Sequence, residues 1–145
     1  KNTLRITMID FFSETVFNLQ NSKEVTRWIS KIIANEKREE GEISYIFCDD
    51  QYLHKLNVEF LNHNTLTDII SFDNSIGNQI NGDIFISIER VKENSLIYDT
   101  VFEDELHRVI IHGILHYCGF NDKTKKDAGL MRKKEDEALS QRIFI

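Results

Sequence analysis

His112 and His116 stand four residues apart, with Gly119 and Asp122 following, in the stretch HGILHYCGFND. On a helix, side chains at i and i+4 lie one turn apart on the same face. Two imidazole nitrogens so placed can both reach one cation at about 2.0–2.1 Å. Gly119 is well placed to end such a helix in the left-handed conformation that costs other residues energy. The chain can then turn back and bring Asp122 to the face the histidines occupy. Two neutral imidazoles and one carboxylate form a common catalytic zinc set that leaves a fourth position for water. His112, His116 and Asp122 are therefore the candidate metal ligands. Histidines at this spacing also arise by chance on ordinary helices, and the glycine and the acid are what set this pair apart. His107 is five residues before His112 and points off the ligand face. It reads as a surface or packing residue, as do His54 and His63, and Cys118 reads as a small core residue. In HExxH peptidases the glutamate after the first histidine is the general base. Here that position is Gly113, which moves no proton and suggests close packing of the helix instead.

The elements that must hold these residues follow from hydrophobic periodicity. LRITMIDFF, Leu4 to Phe12, is β-prone. Ser22 is placed to cap a helix carrying Val25, Trp28, Ile29, Ile32 and Ile33 on one face. EISYIFCD after Gly41 reads as a strand with Ile43, Tyr45 and Phe47 on one side. Asp49 or Asp50 can cap a helix running to about Phe60, with Leu53, Leu56 and Phe60 inward. TDIISF (Thr67 to Phe72) and GDIFISI (Gly82 to Ile88) read as neighbouring antiparallel strands around the polar loop from Asp73 to Asn81. A helix is expected over Ile88 to Asn94. A long one follows over about Val101 to Cys118, buried along Leu106, Val109, Ile110, Gly113, Ile114 and Tyr117. The last helix is expected over about Ala128 to Arg142. Strands alternating with helices in one domain, residues 1–145, predict an α/β or α+β layered sandwich.

The length of 145 residues fits one core, and 41% hydrophobic with 29% charged residues is a soluble globular composition. No apolar run approaches the roughly 20 residues that span a bilayer, and no secretory leader is evident. Cys48 and Cys118 lie far apart and outside any CxxC arrangement, so a reducing cytoplasm is the simpler expectation than a disulfide. The formal net charge of −6 argues against non-specific coating of nucleic acid. A local basic groove is still compatible with that total. Its candidates are Lys123, Lys125 and Lys126 just past the motif, and Arg132, Lys133 and Lys134 beyond them. The plainer reading of both clusters is a solvated face.

HGILHYCGFND resembles the HGxLHLxGYDH signature of the YbeY family of metal-dependent endoribonucleases, bacterial factors of rRNA maturation and ribosome quality control. TDIISF resembles the family's TDVLSF, GDIFIS its GDIxIS, and MRKKEDEAL (Met131 to Leu139) its C-terminal helix. The resemblance runs from about Ile43 to Leu139. It implies a small α/β sandwich, with a four-stranded mixed sheet packed with helices and a metal cleft beside the sheet. It implies one zinc ion (Zn2+) per chain, carried over here to His112, His116 and Asp122. It also implies cleavage of single-stranded RNA, including 16S rRNA 3′-end maturation, with rRNA and the ribosome as partners. Neither DNA nor a membrane is expected as a partner.

Two positions depart from the family pattern. The third ligand is usually histidine, and Asp122 lowers the charge of a zinc site from +2 to +1, weakening its Lewis acidity. The family also carries an arginine, a phosphate clamp, where this chain has Leu61, so RNA binding must rely on other cations. Lys123, Lys125 and Lys126 are the RNA-binding candidates. The chemistry expected is metal-assisted hydrolysis, or attack by the substrate's own 2′-OH, with no protein base assigned. With a single metal and no paired carboxylates for a second, the enzyme is expected to be slow. The alternatives are a ribosome-associated assembly factor with a mainly structural metal, and a peptidase-like zinc hydrolase, which Gly113 disfavours.

Overall fold

The structure, a computed structural model, describes residues 8–145. The part of the expected first strand from Leu4 to Thr7 lies outside the described residues. In chain order the elements are β1 (Ile9–Ser13), α1 (Ser22–Asn35), β2 (Glu39–Cys48), α2 (Asp50–Leu61), β3 (Ile69–Asp73), β4 (Gln79–Ser87), α3 (Ile88–Ile97), α4 (Phe102–Tyr117) and α5 (Lys125–Ser140). The four strands form one mixed sheet in the order β1-β2-β4-β3. β1 runs parallel to β2 and β2 parallel to β4, while β3 is antiparallel to β4, with Ile69 opposite Ile86. This is the layered α/β sandwich that the alternation of elements predicts.

Alternation along the strands splits the apolar residues between the two faces of the sheet. Ile43, Tyr45 and Phe47 of β2 and Ile80, Ile84 and Ile86 of β4 join the main core with α1 and α4. Cys48, Leu53 and Ile70 form a smaller cluster on the other face, beneath α2. α4 is the central helix: Leu106, Val109, Ile110, Gly113, Ile114 and Tyr117 are all buried, the stripe its periodicity predicts. Two hydroxyls anchor this layer. Tyr45 Oη donates to the Ile110 carbonyl at 2.8 Å, and Tyr117 Oη reaches the carbonyls of Phe72 and Asp83 at 3.0 and 3.2 Å. α5 lies along α4, tied to α1 by the Trp28 indole N–H, which donates to the Ala138 carbonyl at 2.8 Å.

Several local expectations shift. Ser22 is not the cap of α1 but its first helical residue. Asn21 precedes it in the left-handed region (φ 57°) without a side-chain cap, and the Val25 N–H bonds its carbonyl. Asp49, not Asp50, caps α2, accepting from the Tyr52 N–H at 2.8 Å. Phe60 was expected inward but is exposed, near the C-terminal end of α2, where its ring meets Phe72 of the edge strand β3 in an edge-on contact. The polar loop shortens because β3 extends to Asp73 and β4 begins at Gln79, closed by an Ile76–Gln79 bridge. α5 starts three residues before Ala128, capped by Thr124, whose hydroxyl accepts from the Asp127 N–H at 3.0 Å. Cys48 and Cys118 are both buried free thiols, and burial pushes them up to about 12 and about 11.

Candidate metal centre

The C-terminal half of α4 presents His112 and His116 side by side, with ring centroids 4.5 Å apart. The helix stops where the sequence puts its glycine. Gly119 adopts φ +101°, its N–H bonds the His116 carbonyl at 2.9 Å, and the Phe120 N–H returns to Leu115 at 3.0 Å. Arg38 covers another helix-end carbonyl, that of Cys118, at 2.9 Å. Phe120 then packs against the core with Lys134 over its ring, and the chain is turned back so that Asp122 faces the histidines.

One oxygen of Asp122, Oδ2, stands 3.2 Å from His112 Nε2 and 3.3 Å from His116 Nε2. Donors held about 2.0–2.1 Å from one ion at tetrahedral angles are themselves about 3.3 Å apart. The two distances to Asp122 match that spacing, and all three donor atoms lie within 4.8 Å of one another, close enough to share one cation. The protonation pattern points the same way. His112 Nδ1 lies 2.7 Å from Glu135 Oε2, a carboxylate acceptor, so the neutral ring carries its proton on Nδ1 and its lone pair on Nε2. In that tautomer the lone pair faces the Asp122 carboxylate, a contact that either a metal cation or a proton on Nε2 satisfies. Burial pulls the His112 pKa down, but the Glu135 hydrogen bond and charge, with Asp122 and Asp68, outweigh it and the net shift is upward. The C-terminal end of α4 adds a negative dipole end at His116.

Glu135 is the residue that sequence reading missed. It is buried, and it bonds Arg108 Nη1 at 2.8 Å as well as His112. Burial would raise its carboxyl, but the His112 and Arg108 hydrogen bonds hold it below the usual glutamate range. Arg108 is fixed in turn by Asp136 at 2.7 Å. A carboxylate that holds the second nitrogen of a metal-binding histidine sets its tautomer and raises its basicity. The signal was present in outline: Met131, Glu135 and Ala138 form the buried stripe of α5, and a glutamate on such a stripe needs a partner.

The triad opens into a cleft of about 720 Å³ between β3 and helices α3, α4 and α5. The side chains of His112, His116 and Asp122 keep 19, 29 and 40% exposure. Asp68 and Glu105 also line this cleft, and burial holds both carboxyls above their ordinary range. Lys123, Lys125 and Lys126 are exposed, and none is among the residues lining the cleft. Lys134 is not a solvated tail residue, since it pairs with Glu36 at 2.5 Å. Leu61, at the end of α2, is likewise not a cleft residue. His107 is a buried packing residue against Trp28 and Phe144. His54 bonds Asn64 at 2.7 Å, and His63 is exposed. Gly113 faces the sheet, where an added Cβ would come 3.0 Å from Ile84 Cδ1 and 3.3 Å from Ile69 Cδ1.

The family model described as Endoribonuclease YbeY matches residues 9–142 of the chain. A curated Endoribonuclease YbeY of Flavobacterium johnsoniae is 59% identical over 133 residues, covering 92% of this chain and 96% of the relative. One from Cytophaga hutchinsonii is 47% identical over 139 residues, covering 95% and 97%. Among solved structures, the solution structure of a Thermotoga maritima protein superposes with a TM-score of 0.66 at 24% identity, covering 91% of this chain and 87% of the other. That last likeness shows the fold.

Proposed function

Because the chain belongs to the YbeY family of endoribonucleases, we propose that it is a zinc-dependent hydrolase of single-stranded RNA acting at the cleft above α4. One observation carries the reading. Three donors converge within 4.8 Å of one another and stay open to a cleft large enough for a nucleotide. Structural zinc sites are closed by four protein ligands, whereas catalytic ones keep a position free. A purely structural metal is therefore the weaker reading, and a peptidase lacks its base because Gly113 packs on the sheet.

His112, His116 and Asp122 would hold the ion, and a bound zinc supplies Lewis acidity at a phosphoryl oxygen and an acidified water. Glu135 fixes the His112 tautomer, and Arg108 together with Asp136 fixes Glu135. We place the activity in 16S rRNA 3′-end maturation and ribosome quality control in the bacterial cytoplasm, with the ribosome as partner. Family membership supports this. Lys123, Lys125 and Lys126, exposed just past Asp122, would contact RNA outside the cleft.

The test is incubation of purified protein with a short single-stranded RNA, with and without chelator, then with zinc restored. Cleavage should stop with chelator and return with zinc. Cleavage indifferent to chelator would overturn the reading, and digestion of casein in the same preparation would revive the peptidase.

A further inference from the structure

The cleft poses an electrostatic problem for an RNA substrate. Asp68, Glu105, Asp122 and Glu135 all line it. Two arginines line it as well, and they differ. Arg108 is tied at both ends, to Glu135 and Asp136, and its side chain is 18% exposed. Arg132, on the same α5 face as Glu135, is 64% exposed. Among the described residues its one ion pair is a 4.0 Å approach to Glu135 Oε1, an oxygen that Arg108 already holds at 2.8 Å. Such an exposed, shared contact leaves the guanidinium able to take a phosphate.

The opposite rim, where α3 gives way to α4, carries Tyr98, a cleft-lining residue that is 64% exposed. Among the described residues its ring stacks on no other aromatic and its hydroxyl makes no hydrogen bond. Its backbone, by contrast, is held. The Tyr98 N–H bonds Asn94 at 2.9 Å, Asp99 closes the helix at φ 54°, and the Thr100 N–H bonds Ser95 at 2.8 Å. A large ring presented to a substrate cleft on a fixed turn is a stacking platform of the kind that binds unpaired bases.

We propose that Tyr98 and Arg132 form a nucleotide subsite beside the metal centre, Tyr98 stacking on an unpaired base and Arg132 binding an adjacent phosphate. The subsite rests on the single-stranded RNA reading and names the residues that would hold the unpaired strand. Arg132 also gives the acidic cleft an exposed cation.

The experiment is fluorescence anisotropy with zinc-loaded protein and a labelled 12-nucleotide 2′-O-methyl RNA, single-stranded or annealed to its complement, with integrity checked on a gel. Wild type should bind the single strand more tightly than the duplex. Tyr98→Ala should weaken single-strand binding about tenfold, within the range of one base stack, while Tyr98→Phe and Tyr98→Trp retain it. Arg132→Ala should weaken binding and lower the salt slope by about 0.7, one phosphate on a single strand. Both positions are exposed, and circular dichroism checks the fold of each variant. If wild type binds no single-stranded RNA, the RNA reading itself fails. If wild type binds and Tyr98→Ala binds equally well, or Arg132→Ala leaves the salt slope unchanged, the subsite alone is refuted.

Discussion

The convergence of His112, His116 and Asp122 was legible in the sequence because it is local: two residues on one helical turn and a third just past the glycine that ends the helix. Glu135 was not legible, because its pairing with His112 spans 23 residues and depends on how α5 lies on α4. The consequence can be measured. Glu135→Gln keeps the shape but loses the charge that makes the His112 ring basic, so zinc affinity should fall about 10–100-fold. Unchanged affinity in a chelator competition would mean that Glu135 only packs. His107 is a second buried histidine of opposite character. Arg142 Nη1 donates to its Nδ1 at 2.8 Å, and burial, with the Arg142 charge, pushes its pKa down to about 4. The unfolded chain titrates His107 near the ordinary value of about 6.5, so between that pH and 4 the unfolded state binds more protons. His107 therefore costs no stability above about pH 6.5, and its contribution is lost as pH falls toward 4. The full loss is about 3 kcal/mol, from the shift between 6.5 and 4. His107→Gln should flatten that part of the stability–pH curve relative to wild type in urea titrations. A parallel curve would contradict the assignment.

At the scale of elements, periodicity read the core-facing stripes well because burial on one face is what fixes them. Ile43, Tyr45 and Phe47, and the α4 stripe, are buried as their spacing predicts. Periodicity failed in the last turn of α2, where Phe60 is exposed beside the edge strand, and where a left-handed Asn21 starts a helix that Ser22 seemed ready to cap. Gly113 is where helix and sheet approach closely enough for one methyl group to matter. Alanine there gains about 1 kcal/mol of helix propensity but pushes on the ends of Ile84 and Ile69, and overpacking costs about 1–3 kcal/mol. Gly113→Ala should be neutral to modestly destabilising, and Gly113→Val should cost several-fold more and lower zinc affinity by shifting α4. A fully stable Gly113→Val with normal zinc affinity would show that the spacing between α4 and the sheet does not position the ligands.

For the molecule as a whole, composition bounded the class but could not locate the positive charge. A chain of net charge −6 keeps its exposed cleft-lining cation at Arg132 on α5, within a segment whose plain reading was a solvated face. The candidate metal centre joins α4, the turn after it and, through Glu135, α5, so an ion bound there should stabilise the global fold. At zinc about 100-fold above Kd the gain is about 2.7 kcal/mol, which for a domain of this size raises Tm by about 8 °C. The central claim is that Asp122 completes the site with the two histidines. It is tested most directly by zinc affinity in wild type, Asp122→Asn and Asp122→His, measured by competition with a chromophoric chelator. Asparagine keeps the shape and any capping role but not the charge. The expected result is a loss of orders of magnitude in Asp122→Asn and retained binding in Asp122→His. Wild-type affinity in Asp122→Asn would show that the aspartate merely shapes the turn and is no ligand.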